Sequence, residues 1–187
     1  MLSRASKPFV KLVTAYAFSG GRVMSMTEIM SEVHSYGVRR VTVTGGEPLA
    51  QRDALTLMDT LVNEGYEVSI ETSGAHSISG INPQVSVVMD LKTPGSGESH
   101  RNLMENIALL KRSDQVKFVI TDREDYDWSR FQVDALALDD RVEDILFSPS
   151  FEQLDPVDLA SWILADRLPV RMQLQLHKLL WGDQPGV

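Results

Sequence analysis

Six short runs of β-branched and aliphatic residues, at 40–44, 66–70, 85–91, 115–120, 144–147 and 169–176, alternate with segments whose apolar residues recur at helical spacing. That alternation leaves few folds. Strands separated by helices pair in parallel through right-handed crossovers, so the chain is α/β with mostly parallel strands, as an open doubly wound sheet or a full or partial barrel. Both architectures place ligands at the carboxyl ends of the strands.

Local signals set the element boundaries. Ser25 with Glu28 makes a capping box, and Ile29, Met30 and Val33 carry a helix on to Gly37. The next helix spans 53–64, with Leu55, Met58, Leu61 and Val62 on one face and Gly65 as its stop. Further helices are expected over 102–110, over 128–138, and from the Asp155 cap and Pro156 to about Asp166. Trp162 lies at helical spacing from Leu159 and Ala165, as a core residue would. The run 169–176 alternates Val170, Met172, Leu174 and Leu176 with Arg171, Gln173 and Gln175, the pattern of a half-buried last strand. No linker or repeat divides the 187 residues, and the expectation is one domain over 1–187.

A net charge of −8 gives no broad basic surface for a nucleic-acid backbone. No apolar run reaches the roughly 20 residues a spanning helix needs, and the start, with Arg4, Lys7 and Lys11, has no signal-peptide core. A cytoplasmic protein with no nucleic-acid or membrane partner is expected. Cysteine is absent altogether, which excludes disulfides, thiolate nucleophiles and cysteine-ligated metal or iron–sulfur sites in this sequence. The four histidines, His34, His76, His100 and His177, show no paired metal-ligand spacing, and His34 and His100 read as surface residues. Neither a nucleophile elbow nor a phosphate-binding P-loop occurs.

Polar or flexible residues stand at nearly every strand end: 44–48, 71–74, 90–93, 121–122, 148–149 and 175–178. Gly45-Gly46 permits positive φ or close backbone approach, and Glu47 can accept from an ammonium; the same residues also suit a plain turn with Pro48 opening a helix. Glu71 reads either as a buried acid or as a solvated group, and Lys92 beside Asp90 as an ion pair. The run Pro94-Gly95-Ser96-Gly97 reads as a mobile loop without the spacing of a dinucleotide fingerprint.

In this order, Thr44-Gly45-Gly46-Glu47-Pro48-Leu49-Ala50-Gln51, Ile70-Glu71-Thr72-Ser73-Gly74, Asp90-Leu91-Lys92-Thr93-Pro94, Val116-Lys117-Phe118-Val119-Ile120 and Gln175-Leu176-His177-Lys178-Leu179-Leu180-Trp181-Gly182 resemble the 7-carboxy-7-deazaguanine synthase family of radical S-adenosylmethionine (SAM) enzymes. The resemblance runs from about Thr14 to Val187; the first motif is shared among radical SAM enzymes, and its combination with the tail is more specific. It implies a modified partial (β/α) barrel, usually a homodimer. The family is a lyase that converts 6-carboxy-5,6,7,8-tetrahydropterin to 7-carboxy-7-deazaguanine on the route to queuosine, with SAM, Mg²⁺ and a four-iron four-sulfur cluster. The protein supplies orientation and electrostatics to that cofactor chemistry.

Carried over by position, the resemblance assigns Gly45, Gly46, Glu47, Glu71, Ser73, Asp90 and Lys92 to SAM. It assigns Lys11, Thr44, Gln175, His177 and Lys178 to the pterin substrate, and Thr14 to Mg²⁺. No catalytic side chain is implied. The family carries a C-x₃-C-x₂-C-type loop just before the segment matching Thr14-Ala15-Tyr16-Ala17-Phe18, whereas here Phe9-Val10-Lys11-Leu12 runs straight into Val13-Thr14. The glycine-rich segment before the first strand is also missing, and Lys11 stands where the family has an arginine, losing a bidentate fork. The domain is therefore expected to be incomplete at its N-terminal end and the chain as written to be inactive. The alternatives are a cluster-free module that binds SAM or a pterin, and a nonfunctional remnant.

Overall fold

The computed structural model describes residues 9–10 and 23–182. Strands β1 (Phe9–Val10) and β2 (Val23–Met24) pair antiparallel. Helix α1 (Met26–Ser35) follows with its capping box formed: the Ser25 amide donates to Glu28 Oε2 at 2.6 Å, and the Glu28 amide donates to Ser25 Oγ at 3.3 Å. The main sheet then begins with β3 (Arg40–Val43), helix α2 (Ala54–Asn63), β4 (Glu67–Thr72), β5 (Ser86–Asp90) and β6 (Gln115–Ile120). It ends with α3 (Arg123–Ala135), α4 (Leu138–Arg141), β7 (Asp144–Pro149), α5 (Pro156–Asp166), β8 (Arg171–Met172) and α6 (Leu176–Trp181).

All neighbours in this six-stranded sheet are parallel, and their spatial order is their sequence order, β3 to β8. That order decides between the two architectures left open by the sequence. A doubly wound sheet reverses direction at a switch point; a sheet that always steps the same way with right-handed crossovers keeps its helices on one face, as a barrel wall does. The burial follows. Val41, Val43, Val68, Ile70, Val87, Met89, Val116, Phe118 and Ile120 are all buried at alternate positions on the helix-covered face. Phe118 and Phe147 meet edge to face at 5.4 Å, and Tyr126 of α3 packs on Phe147 and Trp162. The Tyr126 hydroxyl donates to Asp166 at 2.8 Å, so burial and the neighbouring carboxylate push its phenol above the ordinary range.

Several elements depart from the sequence reading. In α2 the buried residues are Ala54, Leu57, Met58 and Leu61, while Leu55 is 38% exposed, so the face turned to the sheet is rotated from the expected one. Residues 102–110 form a 3-10 helix over Met104–Leu109, because Asn106 is committed elsewhere: its side chain donates to the Gly74 and His76 carbonyls and accepts from the Ile78 amide. Helix α3 starts five residues before 128, capped by Asp122, whose carboxylate accepts from the Asp125 amide at 2.9 Å. The last strand is only Arg171–Met172; with one neighbour and, among the described residues, no strand beyond, pairing stops, Leu174 and Leu176 are exposed, and Leu176 opens α6. Trp162 is half-buried against the core.

The α5 start is as expected, with Asp155 Oδ1 accepting from the Val157 amide at 2.8 Å ahead of Pro156. Asp155→Ala is expected to cost about 1 kcal/mol, read as a lower urea midpoint at unchanged slope. A loss below about 0.3 kcal/mol would mean the exposed cap adds nothing beyond peptide-level helix propensity. Among the described residues no helix is long and apolar enough to cross a membrane.

Candidate functional site

Among the described residues a one-sided helix layer leaves the other, concave face of the sheet without a covering helix, and many of its residues are polar where parallel sheets are usually apolar. Thr42, Ser69, Glu71, Asp90 and Lys117 alternate with the buried set, and Ser148, itself buried, shares this face through its register with Val119. The register aligns Thr42 with Ser69, Asp90 with Lys117, and Val119 with Ser148. Of these, Thr42, Ser69 and Lys117 lie inside strands and escape a reading confined to strand ends. Their signal was the alternation of polar and apolar residues through R-V-T-V, E-V-S-I-E and Q-V-K-F.

Six of the residues assigned by resemblance converge at the carboxyl ends of β3 and β4. Gly45 and Gly46 both have positive φ, 101° and 56°, a backbone that side chains disfavour, and this turns the chain sharply after β3. Glu47 then points back at β4. Its Oε1 accepts from the Leu49 amide at 3.0 Å and from Thr72 Oγ1 at 2.9 Å, and its Oε2 from the Ser73 amide at 2.8 Å and Ser73 Oγ at 2.5 Å. Both oxygens are taken by protein donors, so the carboxylate ties the two loops together. Thr44 Oγ1 donates to Glu71 Oε2 at 3.3 Å, and Glu71 is exposed.

At the end of β5, Lys92 pairs with Asp90 Oδ2 at 2.7 Å, while Asp90 Oδ1 is buried without a partner. The Asn102 side chain clamps Lys92, accepting from its amide and donating to its carbonyl, both at 2.9 Å. The segment after it is a hydrogen-bonded turn rather than the mobile loop expected. Asp125, buried at the start of α3, accepts from Thr93 Oγ1 at 3.0 Å, the Gly95 amide at 2.7 Å, the Thr121 amide at 3.1 Å and Thr121 Oγ1 at 2.5 Å. A Cβ on Gly95 would collide with the Thr121 hydroxyl and the Asp125 carboxylate. Burial pushes the Asp125 carboxyl up, and the hydrogen bonds from Thr121, Gly95 and Thr93 outweigh it, holding the group below the usual carboxylate value.

Across the sheet, Ser148 Oγ and Gln175 Oε1 are also buried without partners. Gln175 precedes α6, and Lys178 lies over the Phe151 ring at 5.0 Å. His177 falls within α6, with its side chain outside the described set. Lys11 and Thr14 lie outside the described residues. His34 is surface-exposed and meets Glu64 at 2.8 Å, and His100 is exposed.

An open cavity of about 350 Å³ lies at the opposite, amino-terminal end of β7 and β8, between Glu143, Asp144, Pro169 and Arg171. Arg171 pairs with Asp144 there at 3.0 Å, and the cavity holds no unpartnered buried polar atom among the described residues. The orphaned acceptors Asp90 Oδ1 and Gln175 Oε1 and the Ser148 hydroxyl are at the other end, where ligands of such folds bind. They fit a polar small molecule such as SAM. The cluster does not fit: the sequence has no cysteine, and among the described residues no three His, Asp or Glu side chains gather as a metal site.

No family model matches the chain. A 7-carboxy-7-deazaguanine synthase of Koribacter versatilis is 41% identical over 183 residues, covering 90% of this chain and 81% of the relative. The crystal structure of QueE from Escherichia coli superimposes with a TM-score of 0.57 at 24% identity, covering 82% of this chain and 65% of that one. Streptococcus suis SuiB, solved with SAM bound, gives 0.59 at 13% identity over 89% of this chain and 45% of its own. The two structures share the parallel partial-barrel sheet, and the level of identity over nearly the whole length means that this chain belongs to the 7-carboxy-7-deazaguanine synthase family of radical SAM proteins.

Proposed function

We propose that this chain keeps the SAM and pterin pocket of a 7-carboxy-7-deazaguanine synthase on its concave face and, as written, does not carry out the radical reaction. The observation behind the first half is the row of unpartnered buried polar atoms at the ends of β5, β7 and the segment after β8. Behind the second stands the cysteine-free sequence. The family's substrate, 6-carboxy-5,6,7,8-tetrahydropterin, and its product on the route to queuosine are carried here by membership alone. A single domain, a homodimer and a cytoplasmic setting belong to the same reading, as do Mg²⁺ at Thr14 and pterin contacts from Lys11, Thr44, Gln175, His177 and Lys178.

The roles of the rim residues follow from their partners. Gly45 and Gly46 present backbone to the polar end of SAM, Glu47 holds them in place through Thr72 and Ser73, and Asp90 offers one free oxygen. When bound, SAM supplies the adenosyl group that the family uses for hydrogen abstraction; the residues of this chain bind and orient. Gly46→Val is expected to weaken SAM binding at least tenfold, since a branched side chain is strained at φ 56° and blocks close backbone approach. Calorimetry on both proteins, with circular dichroism to confirm folding, is the test. Equal affinity would remove the glycine pair from the SAM site, and no binding by the unmodified chain would favour the remnant.

A further inference from the structure

Parallel pairing sets Asp90 of β5 beside Lys117 of β6, and Val119 beside Ser148 of β7, so Lys117 and Ser148 are diagonal neighbours on the concave face. Lys117 is half-buried, and among the described residues its ammonium has no hydrogen-bond or ion-pair partner. Other half-buried cations are engaged: Lys92 with Asp90 at 2.7 Å, Lys111 with Asp114 at 2.9 Å, and Arg130 with Asp166 at 3.0 Å. The remaining unpaired ones, Arg39, Arg52 and Arg167, are exposed, where water serves them. Ser148 is 0% exposed with an unsatisfied hydroxyl, and Asp90 Oδ1 is unsatisfied nearby.

Such groups cost stability when buried without partners. A face shaped for packing alone would continue the apolar choice made at Val88, Val119 and Leu146, which share it. A lysine ammonium and a serine hydroxyl side by side suit an anion, as a point charge with an added donor. Asp90 next to them disfavours a second negative group and suits an N–H or O–H donor.

We infer that Lys117 and Ser148 form a carboxylate subsite on the concave face, taking the acid group of a small ligand whose N–H or O–H reaches Asp90 Oδ1. The inference rests on the concave face being the SAM and pterin pocket. Two ligands of that pocket bear a carboxylate, the methionine part of SAM and the pterin acid.

The test is calorimetric titration of the full chain, Lys117→Met, Lys117→Arg and Ser148→Ala with four probes: SAM, decarboxylated SAM, 6-carboxypterin and unsubstituted pterin. Thermal unfolding of each protein without ligand accompanies it. Lys117→Met is expected to weaken one acid probe at least tenfold and Ser148→Ala to weaken the same probe several-fold. The matching decarboxylated probe should bind both Lys117→Met and the unmodified chain alike, and Lys117→Arg should keep part of the affinity. The acid probe that responds identifies the source of the carboxylate. The melting temperature of Lys117→Met should hold or rise, because an apolar chain of equal length replaces an unpartnered charge.

Equal effects on acid and decarboxylated probes, or none, would overturn the subsite, as would a melting temperature several degrees lower, which marks a structural lysine. An unmodified chain that binds neither acid overturns the pocket reading and the subsite with it, an outcome distinct from one in which binding is present and indifferent to Lys117.

Discussion

Anaerobic reconstitution of this chain with iron and sulfide is expected to give no cluster absorption, and incubation with SAM and reductant no 5′-deoxyadenosine. Iron–sulfur clusters are held chiefly by cysteine thiolates, and the sequence has none. Histidine is the usual substitute, but His34 is on α1 against Glu64, His76 is exposed on a loop, His100 is exposed in the 3-10 turn Ser99–Arg101, and His177 is on α6. Among the described residues no three candidate ligands gather. Reductive cleavage of SAM needs an electron donor at the site, and pocket affinity does not replace one, because binding the ground state does not lower the barrier. The loss is therefore complete rather than graded. A variant with a C-x₃-C-x₂-C-type loop inserted before Thr14, and a glycine-rich segment before the first strand, should show both the absorption and the product. Turnover by the unaltered chain would sink this reading.

What could be read in advance divides by the range of the interaction. The Ser25–Glu28 box and the Asp155–Pro156 start are closed within one turn, so residue identity alone specifies them. The run 115–120 is a strand in the structure at the same bounds, its burial alternating throughout and its pairing two-sided. The same alternation in 169–176 is a strand only at Arg171–Met172, where β7 is its one neighbour and, among the described residues, no strand pairs on its other side. Asn106 settles 102–110 through groups on Gly74, His76 and Ile78, about 30 residues away in sequence, which no local window sees. Which side of α2 faces inward is likewise fixed by the sheet; two overlapping apolar stripes, through Leu55 and Val62 or through Ala54 and Leu57, compete in the sequence.

The candidate site was legible at its rim and illegible in its wiring. Strand-end position follows from β-α-β handedness, which is why Thr44, Glu71, Asp90 and Ser148 sit at the carboxyl side of one sheet. Glu47 reads in sequence as a group that can accept from an ammonium, and the fold adds what no local window shows, its hydrogen bonds from Leu49, Thr72 and Ser73. Lys117 sits in a strand's middle, where a charge looks like a solvated position until the one-sided helix layer sets it on the face proposed as the pocket wall.

Asp125→Ala should be among the most damaging single changes in this fold. The carboxylate takes four donors from three residues, Thr93, Gly95 and Thr121, in a buried space that Ala leaves empty. Hydroxyls can turn elsewhere; the Gly95 and Thr121 amides cannot. Each buried unsatisfied donor costs about 1–3 kcal/mol, so a total loss of roughly 3–5 kcal/mol is expected from a stability of about 5–15 kcal/mol. At about 2–4 °C per kcal/mol in a domain of this size, the melting temperature drops by roughly 6–20 °C. Acid exposes the same contribution. Because the folded carboxyl titrates below its ordinary value, its stabilisation is whole above the unfolded-state value of about 3.9, shrinks as pH falls below that, and is gone once pH passes the lower folded value. The gap in stability between the unmodified chain and Asp125→Ala should therefore be constant from neutral pH to about pH 5 and narrow below about pH 4. Urea titrations of both proteins across that range are the measurement. The turn this residue fastens begins one residue after Lys92, so weaker SAM binding should accompany the loss. A penalty under about 1 kcal/mol, or a gap that widens in acid, would show that the turn is held by something other than Asp125.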